Sequence, residues 1–142
     1  MKLIRDMKEL EGTCYIEVLP GKYLGQCWNE NSIFFDEEVF GYLEKSLENI
    51  FSGYDHYAFN EIHRDTWLVI LERLNTLVNL LDENVTIELL KEHVYFVFGS
   101  SEEEFRQDFD NNVQRLRELI IEFVTWIKEQ LKTQDYVSVL GI

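Results

Sequence analysis

Two histidines, two acids and three aromatic residues fall within the eleven residues Gly53-Tyr54-Asp55-His56-Tyr57-Ala58-Phe59-Asn60-Glu61-Ile62-His63. Groups of these types can move protons, hold cations or bury themselves in a partner. In a catalytic reading, His56 or His63 acts as general base beside Asp55 or Glu61. In a metal reading, Asp55, His56, Glu61 and His63 ligate a divalent ion. Neither reading has a specific spacing behind it. The chain contains no HExxH or CxxC, and no third histidine lies nearby. GxSxG, P-loop and GxGxxG patterns are also missing, and the seven glycines are scattered. An active site needs nucleophile, base and orienter together, so the expectation is a non-enzyme without a metal or other cofactor. A third reading fits the composition better. Rigid rings supply buried area and carboxylates supply specificity, the makeup of a protein-binding hot spot on a loop. Against it stands a plain alternative, in which Tyr54, Tyr57 and Phe59 anchor the loop to the core and a histidine satisfies a backbone carbonyl.

The elements that position this segment follow from pattern. Thr13–Leu19 is a strand by composition, stopped by Pro20-Gly21. Tyr23–Trp28 is a candidate second strand. Asn29–Ser32 is loop, and Ile33-Phe34-Phe35 leads into a helix that Asp36 caps, with Glu37 and Glu38 in its first turn. Phe40, Leu43, Leu47, Ile50 and Phe51 make that helix's apolar stripe, and Ser52-Gly53 ends it. Asp65 is expected to cap a second helix bearing Trp67, Ile70, Leu71, Leu74, Leu77, Val78 and Leu81. Thr86 opens a short third through His93, and periodicity leaves Val94–Phe98 open between strand and helix. Ser101 with Glu104 reads as a capping box. Phe105, Phe109, Val113, Leu116, Ile120, Phe123, Ile127 and Leu131 then form one stripe of roughly 40 Å, read as core rather than as a coiled-coil seam. Trp126 falls off that stripe and is a candidate to face a partner. Tyr136–Leu140 reads as a terminal strand, which needs the N-terminal strands as its partner. The expected fold is α+β: a small antiparallel sheet from both chain ends, packed on a helical layer with a long C-terminal helix, in a single domain spanning 1–142.

Length and composition agree with one domain. The chain has 142 residues, including 10 Phe, 7 Tyr and 3 Trp, enough apolar surface for a core and incompatible with intrinsic disorder. No targeting segment or membrane-length apolar run is visible. Cys14 and Cys27 match no disulfide or zinc pattern and are expected to be reduced and half-buried, in a cytoplasmic protein. The net charge is −14, which disfavours nucleic-acid backbones and anionic membranes as partners and favours a basic protein. That charge is unevenly placed. Residues 1–28 are neutral, 29–61 hold −7 and 102–110 hold −4. Many of these acids would coat exposed helix faces in any soluble protein. The sharper reading is an acidic surface that steers a cationic protein. Candidate partner-binding residues are Asp36, Glu37, Glu38, Tyr54, Asp55, His56, Tyr57, Phe59, Glu61, Glu102 and Glu103.

The phrases Phe34-Phe35-Asp36-Glu37-Glu38-Val39-Phe40-Gly41-Tyr42 and Tyr54–Ile62, with Arg64-Asp65-Thr66-Trp67 and the ending Tyr136–Ile142, span most of the chain. In these the chain resembles the small acidic immunity proteins of bacterial polymorphic-toxin and contact-dependent growth-inhibition systems. The resemblance implies a non-enzymatic cytoplasmic inhibitor that binds one cognate toxin domain, frequently a basic nuclease. It carries over no catalytic residues. A monomer is expected rather than a dimer. The runner-up is an acidic secretion chaperone or other protein-binding adaptor, which would be dimeric and richer in strand through its middle. The third reading remains a metal-dependent enzyme centred on His56 and His63.

Overall fold

The two ends of the chain meet in one sheet. A computed structural model describes residues 1–142. Its strands are β1 (Tyr15–Pro20), β2 (Ile33–Asp36), β3 (Phe59–His63) and β4 (Tyr136–Leu140), in the order β2-β1-β4-β3 and antiparallel throughout. The helices are α1 (Glu37–Glu48), α2 (Arg64–Leu81), the single turn α3 (Ile87–Leu90), α4 (Ser101–Gln107) and the long C-terminal α5 (Phe109–Gln130). The expected α+β arrangement is the one observed. No helix is long and apolar enough to cross a membrane.

Alternation along the strands divides the buried residues between two faces. Ile16, Val18, Ile33, Phe35, Ile62, Val137 and Val139 join the helices in one apolar core. Its centre holds Trp67, whose indole N–H donates to the Val137 carbonyl at 2.9 Å, tying α2 to β4. Glu17, Leu19, Phe34, Ser138 and Leu140 are also buried, on the opposite face. There residues 21–32 take the place of a helical layer. Glu17 anchors that loop: its carboxylate accepts from the Trp28 and Asn29 amides, the Asn29 side chain and the Ser32 hydroxyl, at 2.6–3.0 Å. Four donors compensate the cost of burying its charge without a cation.

Several local expectations are corrected. Residues 23–28 form no strand; Gly25 and Trp28 sit at positive φ there, which breaks extended backbone. The second strand is instead Ile33–Asp36, paired with β1 and bridged to Ile4. Helix α1 stops at Glu48, ahead of Ser52-Gly53. His63 rather than Asp65 caps α2, its ring nitrogen accepting from the Asp65 amide at 3.2 Å. Ser101 lies inside α4, where its hydroxyl accepts from the Phe98 amide, so no capping box forms. The long stripe bends at Asp108, whose carboxylate accepts from Asn111 while Asn112 donates to the Phe105 carbonyl. Such side chains compete with helical hydrogen bonds and split one periodic pattern into α4 and α5. Trp126 is buried in the core. Val94–Phe98 is neither strand nor helix. Cys14 and Cys27 are exposed, since neither lies within a strand or helix that faces the core.

Candidate functional site

Helix α1 buries Phe40, Leu43 and Leu47 and turns Glu37, Gly41, Glu44 and Glu48 along another face. Steps of four, three and four stack these positions on a helix. Gly41 leaves room for residues 95–97 to cross close to the helix, and its carbonyl accepts from the Tyr95 amide at 3.1 Å. On the other flank lies the loop from Gly53 to Ala58. The result is a cleft of about 390 Å³ lined by the three glutamates, by Tyr54, His56 and Tyr57 from one side, and by Tyr95, Phe96 and Val97 from the other.

Hydrogen bonds within the cleft are dense. His56 sets Nδ1 2.5 Å from Glu44 Oε1 and Nε2 2.9 Å from Glu37 Oε1. Burial pulls the imidazole downward, but hydrogen bonds to Glu44 and Glu37 and the charges of both carry it above the ordinary histidine value. Tyr54 donates to Glu44 at 2.8 Å, and burial with the Glu44 charge keeps its phenol protonated. Tyr95 donates to Glu48 at 2.5 Å, and that bond, with some burial, pushes its phenol up to about 12. Tyr57 is left 71% exposed at the rim, with its ring edge-on to His56. Asp55 shapes the turn: its carboxylate accepts from the Tyr57 amide, and Asn60 staples the loop by bonding the Asp55 amide and the Asp55 and Ala58 carbonyls.

Glu37 also lines a second, larger cleft of about 660 Å³, shared with Asp36, Glu38, Tyr42, Glu104 and Arg115. Burial, followed by the charges of Glu38 and Glu104, pushes the Tyr42 phenol up to about 12. The acidic segments 29–61 and 102–110 therefore converge where the first turn of α1 meets α4.

The structure gathers part of the predicted set. Asp36, Glu37 and Glu38 line the larger cleft; Tyr54, His56 and Tyr57 line the smaller, on the loop that Asp55 shapes. Phe59 and Glu61 point elsewhere, because β3 alternates. Phe59 stacks on Tyr23 at 4.4 Å between ring centres, and Glu61 accepts from the Tyr23 amide at 2.9 Å, on the loop-covered face of the sheet. Glu102 is paired with Lys91 at 2.6 Å, a bond that holds its carboxyl below the usual range. Glu103 is exposed and lines neither cleft. Glu44, Glu48 and Glu104, counted in the acidic segments but outside the candidate set, and Tyr95 also line the clefts. The heptad step from Glu37 to Glu44, with Glu48 one turn further, was the available signal for the first two.

Chemically, the cleft lines carboxylates against tyrosine rings and one histidine, with each glutamate already accepting from His56, Tyr54 or Tyr95. His56 and His63 serve different elements, the α1 cleft and the α2 cap. No group of three or more His, Cys, Asp or Glu side chains is arranged to hold a metal ion. No protein-family model, curated protein or solved structure matches this chain.

Proposed function

We propose that this chain is an immunity-type inhibitor that binds and neutralises a cognate basic toxin domain in the bacterial cytoplasm. The observation that carries the reading is the placement of Glu37 between two clefts, one presenting Asp36, Glu38 and Glu104 and the other Glu44 and Glu48 beside an exposed Tyr57. The other support is the resemblance of the Phe34–Tyr42 and Tyr54–Ile62 phrases to immunity proteins. Lysine and arginine side chains of the partner would enter the clefts, and Tyr57 would be buried at the centre of contact. Distributed negative charge speeds encounter, and a central aromatic anchor slows release. The protein acts as a monomer in this reading and uses no cofactor.

Co-expression with a toxin-like C-terminal domain, sought in the neighbouring reading frames, tests it. The expected result is growth in the presence of the wild-type chain and loss of that protection with Glu37→Lys combined with Tyr57→Ala. Growth arrest despite soluble wild-type protein would overturn the proposal. An obligate dimer that binds secreted effectors would replace it with the chaperone or adaptor reading.

A further inference from the structure

Two side chains, Tyr54 and His56, tie the 53–58 loop to α1. His56 meets a carboxylate at each ring nitrogen, Glu44 at Nδ1 and Glu37 at Nε2. Ionised carboxylates only accept hydrogen bonds, and a neutral imidazole has a single N–H to donate. Both bonds exist together only when the trio holds one proton beyond the neutral ring and two carboxylates. The Tyr54 hydroxyl donates to the same Glu44 oxygen, which makes that carboxylate an acceptor, and an imidazole is ordinarily more basic than a carboxylate, so the proton rests on the ring. The groups facing the ring come from three elements. Glu37, Glu44 and Glu48 project from α1, Tyr54, Asp55 and Tyr57 from the loop itself, and Tyr95 from the crossing segment; no lysine or arginine lines the cleft. Behind the loop, Gly141 packs on the His56 and Ala58 carbonyls; of the two side chains that tie the loop to α1, Tyr54 to Glu44 and His56 to both Glu44 and Glu37, only His56 reaches both carboxylates.

We propose that residues 53–58 form a proton-held latch, in which imidazolium His56 clamps the loop to Glu37 and Glu44 and fixes Tyr57 on the acidic face. When the proton leaves, the ring keeps one bond, the other carboxylate faces the ring's bare nitrogen, and the loop loosens. The latch is a property of the free protein. Its consequence, capture of a basic partner that changes across this pH window, rests on the reading of this face as the toxin-binding surface. The direction follows from linkage: the folded chain holds the histidine proton more tightly than the unfolded chain. The latch is therefore closed at and below the ordinary histidine range, about pH 6.5. It opens as pH climbs through the folded His56 value.

The test uses the free protein. Ring-nitrogen NMR shifts of His56 are followed with pH alongside amide exchange of residues 54–58, corrected for base catalysis. Expected are protons on both ring nitrogens at and below about pH 6.5, a midpoint above about 6.5, and loop protection falling by up to about tenfold per pH unit between about 6.5 and that midpoint, then levelling off. Glu37→Gln should lower the midpoint, and His56→Gln should leave loop protection flat over the same window. A wild-type midpoint at or below about 6.5, or the same loss of protection in His56→Gln, overturns the latch. If the latch titrates as expected while toxin capture stays constant across that window, the latch stands and the proposed binding face fails.

Discussion

Tyr95 donates its amide to the Gly41 carbonyl, and through that bond an irregular segment lies across an acidic helix face. A methyl group on residue 41 would run into the Val97 side chain and crowd the Tyr95 carbonyl. Gly41→Ala gains about 1 kcal/mol of helix propensity. Overpacking costs about 1–3 kcal/mol, so the net effect is destabilising or close to neutral. The sharper expectation is local: faster amide exchange at Tyr95 and loss of the Tyr95–Glu48 bond, with α2 and α5 unaffected. Hydrogen exchange by NMR checks both.

The Glu17 carboxylate satisfies four donors and has no cation near enough to pair with it. Glu17→Ala would strand those donors beneath the 21–32 loop. It should cost about 2–4 kcal/mol in urea unfolding. Even Glu17→Gln should destabilise, because its amide would set donor against donor. Trp28, held at positive φ beside this carboxylate, should report loosening of the loop through its fluorescence.

Global stability should carry the His56 signature. The folded value lies above the unfolded one, so the contribution is complete below about pH 6.5 and disappears as pH rises through the folded value. Chemical unfolding at a series of pH values should show wild-type stability falling through that range. His56→Gln should show a flatter profile. His63 caps α2 by accepting from the Asp65 amide, and its replacement by Asn, a good cap in its own right, should leave that helix start intact.

Much of the frame was legible because it rests on periodicity. The apolar stripe from Trp67 to Leu81 coincides with the buried residues of α2, and Tyr136–Leu140 did need the N-terminal strand. Legibility failed where side chains compete with the backbone. Nothing in the Phe105–Leu131 spacing marks the break at Asp108, and the Ser101–Glu104 spacing imitates a cap that Phe98 prevents. The site was half legible for a related reason. Composition pointed to the Tyr54–Tyr57 loop and the first turn of α1. It could not show that strand alternation turns Phe59 and Glu61 away, nor that Glu44 and Glu48 face the loop across a cleft. Those facts depend on which side of α1 meets β2 and α2.

Charge reversal should separate the clefts from the remaining acidity. Glu37→Lys removes a carboxylate common to both clefts, whereas Glu103→Lys changes net charge equally on a residue that lines neither. Association with a basic toxin domain should slow at least about tenfold for the first and much less for the second, with the gap narrowing at high salt. Stopped-flow fluorescence over a range of ionic strength measures it.

The central claim is that a basic partner docks on the α1 face. Amide-shift mapping of the labelled chain, titrated with the purified toxin domain, tests it most directly. The account predicts the largest shifts at Asp36–Glu38, Glu44, Glu48, Tyr54–Tyr57 and Tyr95, and little change along α2. Shifts concentrated on α2 and the C-terminal half of α5, or no shifts at saturating toxin, would contradict it.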